Sequence, residues 1–271
     1  MLSIIISSYQ PDYFTALEKN IAETCGVPYE IIKVDNQGIM GICEAYNRGA
    51  DKAKFDYLLF LHEDVLFQTI NWGEILTKYF ENPNRGVIGV AGSNYIPNVP
   101  FAWWDNFENE YRNMQQYIKG GTIREYKLQK DEEVYSLDGV FMACTKEIFR
   151  QYHFDENIKG FHSYDLNFSI RVGNVYQNLV SSKIMIRHFS EGTKNKYWFI
   201  NLVNYRKTFQ KPDLQAVDKK KEAYFFLKYI NYLKEFNITA AEKRKLLLPY
   251  ICPNYIGWKL SLKTIFNLIF P

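Results

Sequence analysis

Cysteine is scarce: Cys25, Cys43, Cys144 and Cys252 are the four in 271 residues. None lies in CxxC spacing, so neither a zinc site nor a disulfide framework is indicated, and a reducing compartment is the expectation. A dominant charge is missing too: Lys plus Arg number 33 against 30 for Asp plus Glu, a net of +3. That balance excludes nucleic-acid binding by bulk charge; an anionic partner must be met locally. Met1 runs straight into Leu2-Ser3-Ile4-Ile5-Ile6-Ser7-Ser8 without a basic segment. The apolar stretch is too short for a signal peptide or membrane span and reads as a buried strand. Ser7-Ser8-Tyr9-Gln10-Pro11 contains no glycine, which argues against the glycine-rich loop with which nucleotidyltransferases receive a triphosphate. No internal repeat or low-complexity tract occurs.

Aromatic residues are plentiful, with Tyr 21, Phe 20 and Trp 5; they suit core packing and stacking on planar or sugar ligands. With 47% hydrophobic and 23% charged residues, the chain can bury one substantial core, or one core plus a small appendage.

The apolar pattern alternates between two periods. Ile4 to Ser7 predicts a strand and Phe14, Leu17 and Ile21 a helix; Glu30 to Val34 predicts a second strand, and Ile42, Tyr46, Ala50 and Ala53 a second helix. Tyr57 to Leu61 is a third strand, followed by a helix bearing Trp72, Ile75, Leu76, Tyr79 and Phe80, and Val87 to Gly92 a fourth. This order implies an α/β fold, a mostly parallel sheet with helices on both faces. Ligands of such sheets bind beyond the carboxyl ends of the strands. That rule selects Ser8-Tyr9, Asp35-Asn36 and His62-Glu63-Asp64 as one rim.

From Ser93 to about Glu133 the pattern lapses, and a stretch this long is expected to be functional or mobile. A strand-like run from Val134 to Cys144 is interrupted at Asp138-Gly139, and Thr145 caps a short helix through Phe149. Asp165 opens a helix, and Lys183 to Arg187 forms a last strand delivering His188. Beyond about Gln210 the composition turns helical, with Phe225, Tyr229, Leu233 and Phe236 on one face and a capping box at Thr239 and Glu242.

Asp64, at the end of a wholly apolar strand, stands where Mg²⁺ or Mn²⁺ can bridge a carboxylate to a diphosphate. A lone carboxylate there more often solvates a turn; three acidic or polar clusters on successive strands favour the ligand role.

The sequence here resembles the family 2 glycosyltransferases of the GT-A fold, in the branch whose acidic motif begins with His. The resemblance rests on Ser3-Ile4-Ile5-Ile6-Ser7-Ser8-Tyr9, Val34-Asp35-Asn36, Ala45-Tyr46-Asn47-Arg48-Gly49, Phe60-Leu61-His62-Glu63-Asp64-Val65, Asp138-Gly139 and Phe161-His162-Ser163-Tyr164-Asp165-Leu166. It covers residues 1 to about 190. It implies a GT-A catalytic domain at 1–210, with a nucleotide-binding half at 1–92 and an acceptor half at 93–210, and a helical C-terminal extension at 211–271. It further implies transfer of a sugar from a nucleoside diphosphate sugar, foremost a UDP-sugar, to a hydroxyl of a glycan or lipid-linked acceptor, metal-dependent and inverting.

By the same resemblance, Ser8, Tyr9, Asp35, Asn36, Asn47, His62 and Glu63 bind the nucleotide, Tyr9 by stacking and Asp35 by hydrogen bonding. Asp64 and His188 hold Mn²⁺ or Mg²⁺, and Asp165 is the base that deprotonates the acceptor hydroxyl. A Glu-Asp pair usual just upstream of that base is replaced by His162-Ser163, so Asp165 has an alternative role as a helix N-terminal residue favoured by the dipole. For His188 the alternative is a strand-end histidine bonded to backbone. Asp138, Gly139, Trp103 and Trp104 fall to the acceptor, against turn and core-packing alternatives. A non-catalytic nucleotide-sugar or glycan-binding protein of the same fold is the competing reading.

Near the end, Trp258, Leu262, Ile265, Phe266 and Ile269 lie near one helical face with Lys263 and Asn267 opposite. Together with Lys219-Lys220-Lys221 and Lys243-Arg244-Lys245, this points to weak peripheral membrane contact of a cytoplasmic protein at the inner face of the plasma membrane; core packing is the blander alternative.

Overall fold

The computed structural model describes all residues except 106–107, 119, 191, 193, 207–214 and 270–271, and leaves the side chain of Ile269 undescribed. The 210/211 boundary, Phe270 and the Ile269 side chain therefore lie outside the described residues.

The first half alternates as the periodicity requires: β1 (Leu2–Ser8), α1 (Pro11–Thr24), β2 (Tyr29–Asp35), α2 (Ile42–Asp51), β3 (Tyr57–Leu61), a short β4 (Val65–Phe67), α3 (Trp72–Tyr79) and β5 (Arg85–Gly89). β1 pairs in parallel with β2 on one side and β3 on the other. Leu2, Ile4 and Ile6 of β1 meet Leu17 and Ile21 of α1 in one core, while Ile5 meets Ile42, Ala45 and Tyr46 of α2 in a second. This alternation puts one helix on each face of the sheet and explains why β1 reads as a continuous apolar run. Gly49 lets α2 lie close on β1, because a Cβ there would overlap the Ile5 side chain.

The predicted strand from Val87 to Gly92 is two strands. β5 stays in the central sheet, whereas β6 (Ala91–Ser93) joins a three-stranded sheet with β7 (Glu110–Arg112) and β11 (Ser136–Leu137). The segment from Ser93 to Glu133, where the apolar pattern lapses, contains the last residue of β6, then β7, β8 (Met114–Ile118), β9 (Thr122–Tyr126) and the start of β10 (Glu132–Val134). β12 (Phe141–Thr145) runs antiparallel between β3 and β5, and α4 (Lys146–Tyr152) follows. As predicted, Thr145 caps α4, its Oγ1 accepting from the Ile148 N–H at 3.2 Å.

α5 (Tyr164–Gly173) precedes β13 (Gln177–Val180), a strand the sequence reading missed, and β14 (Ile186–His188). The central sheet has seven strands in the order β10-β13-β5-β12-β3-β1-β2. It is mixed: β2-β1-β3 and β13-β5 are parallel, and each antiparallel pair includes β10 or β12. A four-stranded sheet, β4-β14-β8-β9, stands beside it.

The C-terminal helices are α6 (Lys196–Tyr205), α7 (Lys219–Glu235), α8 (Ala240–Leu247), α9 (Pro253–Ile256) and α10 (Trp258–Ile269). α7 is sealed into the main core by Phe225, Phe226, Tyr229 and Leu233. Its Glu222 is fully buried and accepts from the Tyr95 hydroxyl at 3.0 Å and the Asn98 N–H at 2.8 Å. The capping box at Thr239 and Glu242 is formed.

Candidate active site

Strand register gathers the chemistry. β3 ends at Leu61, paired with Phe141 of β12, so His62 emerges beside Asp138-Gly139, with its N–H on the Val140 carbonyl at 3.1 Å. Two residues on, Asp64 precedes β4, and β4 pairs with β14 so that Val65 opposes His188. The Phe189 N–H donates to the Asp64 carbonyl at 3.0 Å, which locks the two chain segments together.

His62, Asp64 and His188 consequently converge, with one ligand atom of each within 4.8 Å of the others. Asp64 Oδ1 is 3.9 Å from His62 Nδ1, and Oδ2 is 3.5 Å from His188 Nε2. Burial acts to raise the Asp64 carboxyl, but the two imidazoles prevail and its pKa falls below the usual value. His62 Nε2 lies 2.8 Å from the Tyr164 hydroxyl, and His188 Nδ1 lies 3.4 Å from Gln116 Oε1. Were a cation bound, protons on those two nitrogens would leave the other nitrogen of each ring free as a ligand atom. His188 Nε2 is a buried nitrogen with no hydrogen-bond partner. Two imidazole nitrogens and a carboxylate oxygen facing one space form a donor set suited to Mn²⁺, with harder Mg²⁺ accommodated through the carboxylate and water.

Both histidines open onto a cleft of about 740 Å³ whose walls also include Trp103, Trp104, Asp138, Gly139 and Asp165. Asp165 sits in the first turn of α5, and its Oδ1 accepts from the Leu166 N–H at 2.9 Å. Its Oδ2 accepts from the Gly139 N–H at 3.1 Å. Burial, and secondly the nearby Asp138 carboxylate, push the Asp165 pKa up to about 7 despite those bonds. Ser163, just before α5, holds a left-handed backbone (φ 66°), a strained conformation for a residue with a Cβ. Asp138 is fixed by the Trp103 indole N–H at 2.9 Å and the Val140 N–H at 2.8 Å. Trp103 is buried and its ring is covered by the Arg112 guanidinium, 4.9 Å from the centroid; Trp104 is half-buried and stacks on Trp198.

The remaining sequence-derived residues lie outside this cleft. Ser8 is buried at the end of β1 with its hydroxyl lacking a partner, a polar group available to a ligand. Tyr9 is 61% exposed, and Asp35 is exposed and paired with Lys33 at 2.7 Å. Three others have side chains hydrogen-bonded within the protein. Glu63 is buried and accepts from the N–H groups of Tyr9 and Gln10, shaping the loop into α1. Asn36 bonds Ser7 and both backbone groups of Met40, and Asn47 bolts α2 to Phe154 and Glu156.

Sequence reasoning missed Tyr164, although it adjoins Asp165. Its hydroxyl holds His62, and its ring fills the space above Gly139, where any Cβ would overlap the phenol. Gly139 is glycine for that reason. Arg112 and Lys194 also line the cleft; Lys194 stands over Trp104 and Trp198 at 5.8 Å from each. Both come from segments with no apolar periodicity, so pattern reading carried no signal for them.

The fold is that of known sugar transferases. A crystal structure of GalNAc-T7 with UDP, GalNAc and Mn²⁺ superposes with a TM-score of 0.56 at 12% identity, over 99% of this chain and 57% of that one. S. aureus TarS 1–349 in complex with UDP-GlcNAc gives 0.57 at 13% identity, over 92% of this chain and 80% of that one. This chain thus spans little more than half the length of the GalNAc-T7 chain. No curated protein matches it by sequence. The sequence profile of the Glycosyltransferase like family matches residues 3–227, most of the chain, and the protein belongs to that family.

Proposed function

We propose that the protein transfers a sugar from a nucleoside diphosphate sugar, a UDP-sugar in the first instance, to a hydroxyl of a glycan or lipid-linked acceptor, with inversion at the anomeric carbon. The observation that carries this reading is that Asp165 shares one cleft with His62 and His188, the two histidines that converge on Asp64. The UDP and UDP-GlcNAc complexes of the structural neighbours support the choice of donor.

Asp64 and His188, joined by His62 Nδ1, would hold a divalent cation. When bound, Mn²⁺ or Mg²⁺ supplies Lewis-acid stabilisation to the diphosphate as charge grows on it. The ionised Asp165 takes the proton from the acceptor hydroxyl. The acceptor oxygen bonds to the anomeric carbon from that side while the bond to the diphosphate oxygen breaks on the other, the electron pair leaving with the nucleoside diphosphate. A carboxyl of pKa about 7 is a stronger base than an ordinary aspartate yet substantially ionised at neutral pH. The N–H groups of Gly139 and Leu166 fix its orientation and leave a lone pair on each oxygen for the incoming proton. Half-buried Trp104 offers indole surface to the apolar side of an acceptor pyranose, and Asp138, held by the buried Trp103, accepts from its hydroxyls.

The test is UDP release from a panel of UDP-sugars with Mn²⁺, beside calorimetric UDP binding. Wild type should turn over at least one donor. Asp165→Asn should lose roughly a thousandfold or more in turnover, within the range set by removal of an acting base, and still bind UDP. An Asp165→Asn variant that turns over as wild type contradicts the assignment.

A further inference from the structure

α10 is inside out for a helix that completes a core. At about 100° per residue, Ser261, Thr264, Leu260 and Leu268 share the side turned to the protein. Ser261 and Thr264 are buried to 2% and 6% exposure, their hydroxyls satisfied on the Gly257 and Leu260 carbonyls at 2.9 Å. These small side chains are therefore buried without stranding a polar group. The apolar residues point away instead: Trp258, Leu262 and Ile265 are 72%, 60% and 40% exposed, at the i, i+4, i+7 spacing of one stripe. Lys259 and Lys263, both exposed, flank that stripe on one side.

The neighbouring surface continues the pattern. Arg244 of α8 donates to the Leu268 carbonyl at 2.9 Å, and Arg244, Leu248, Ile265 and Leu268 line a shallow groove of about 310 Å³. Leu248 is 59% exposed. From residue 243 to 271 the chain carries Lys243, Arg244, Lys245, Lys259 and Lys263 and no acidic residue. Apart from Glu242, tied into the Thr239 capping box, the charged residues of α8 and α10 are all basic, unlike the mixed charges of an ordinary solvated face. Among the described residues no helix is long and apolar enough to cross a membrane, and twelve residues of α10 extend only about 18 Å.

We propose that the α10 face lies in the plane of an anionic lipid surface. Trp258, Leu262 and Ile265 enter the headgroup–acyl boundary, and Lys259, Lys263 and the basic turn of α8 meet lipid phosphates. Charge complementarity selects this occupant, because a second copy of the chain would bring the same five cations against themselves. The proposal goes beyond the transfer reaction and does not depend on it, although a lipid-linked acceptor would be reached from such a surface.

The test is co-sedimentation of the full chain with vesicles of equal parts phosphatidylglycerol and phosphatidylcholine, and with phosphatidylcholine alone. Sedimentation equilibrium without lipid runs alongside. Wild type should bind the anionic vesicles and bind neutral ones far less. Trp258→Glu/Leu262→Glu should lower anionic-vesicle binding by about tenfold or more, and Lys259→Glu/Lys263→Glu by about tenfold with a weaker salt dependence. Circular dichroism checks folding, and the lysine pair stands in should the apolar pair misfold. Three results overturn the proposal: wild type failing to bind anionic vesicles, folded variants binding as wild type does, or a wild-type dimer that Trp258→Glu/Leu262→Glu dissociates without altering vesicle binding. Failure of sugar transfer leaves this readout unaffected.

Discussion

Asp165 joins protonation to both rate and stability. Its folded pKa of about 7 stands above the ordinary aspartate value of 3.8, chiefly through burial. As the base it must be ionised, so turnover should climb with pH through about 7 and level off above, measured as a kcat profile between pH 5 and 9. A flat profile across that range contradicts the role. For stability the sign is opposite: a raised carboxyl favours the folded state below its unfolded pKa, and that contribution fades as pH rises through about 7. Asp165→Asn should therefore stabilise the protein at pH 8 by roughly 1–3 kcal/mol, with little effect at pH 4, read by urea denaturation. Equal effects at both pH values would remove the buried charge from the explanation. Much of this site was legible in residue types. Asp64 after an apolar strand and His188 after the last one come together, and His188 shares a cleft with Asp165 at a helix start. The hydrogen bonds of Glu63, Asn36 and Asn47 within the protein were not legible, because the partners of a polar side chain at a strand end or on a helix depend on the tertiary groups it meets.

Among elements, Asn47 joins α2 to the loop after α4 through three hydrogen bonds to Phe154 and Glu156. Asn47→Ala should cost roughly 1–3 kcal/mol, the price of leaving part-buried backbone groups unpaired. UDP affinity should stay unchanged. Unaltered stability with weakened UDP binding would return Asn47 to the nucleotide pocket. Elements with a strong apolar period or explicit capping chemistry were legible: β1, β2, β3, α1, α2, and the Thr145 and Thr239 caps. β8 and β9 were not, because Thr122 to Glu125 are exposed and the paired β8 is mostly half-buried, leaving no apolar alternation to read. The split of Val87 to Gly92 into β5 and β6 was hidden for the converse reason. The whole run is buried, and a continuous apolar segment does not mark where the chain leaves one sheet for another.

At the scale of the molecule, the Trp103–Asp105 wall of the cleft and the C-terminal helices are packed together. Tyr232 of α7 donates to Asp105 at 2.6 Å, just after Trp103 and Trp104, and Lys194 donates to the Tyr232 hydroxyl at 3.1 Å while covering Trp104. The sequence pointed to helices after residue 210 but not to this seal, since the aromatic face of α7 is compatible with a separate bundle as much as with the sheet domain. The central claim is that His62, Asp64 and His188, which converge beside the cleft that Asp165 lines, would together hold one cation. It is tested most directly by soaking a crystal with Mn²⁺ and UDP and recording the anomalous signal of manganese. The account predicts a single strong peak within coordination distance of an Asp64 carboxylate oxygen and His188 Nε2, next to the UDP diphosphate. Diphosphate density with no manganese peak at Asp64, or a peak held by other side chains, would contradict it.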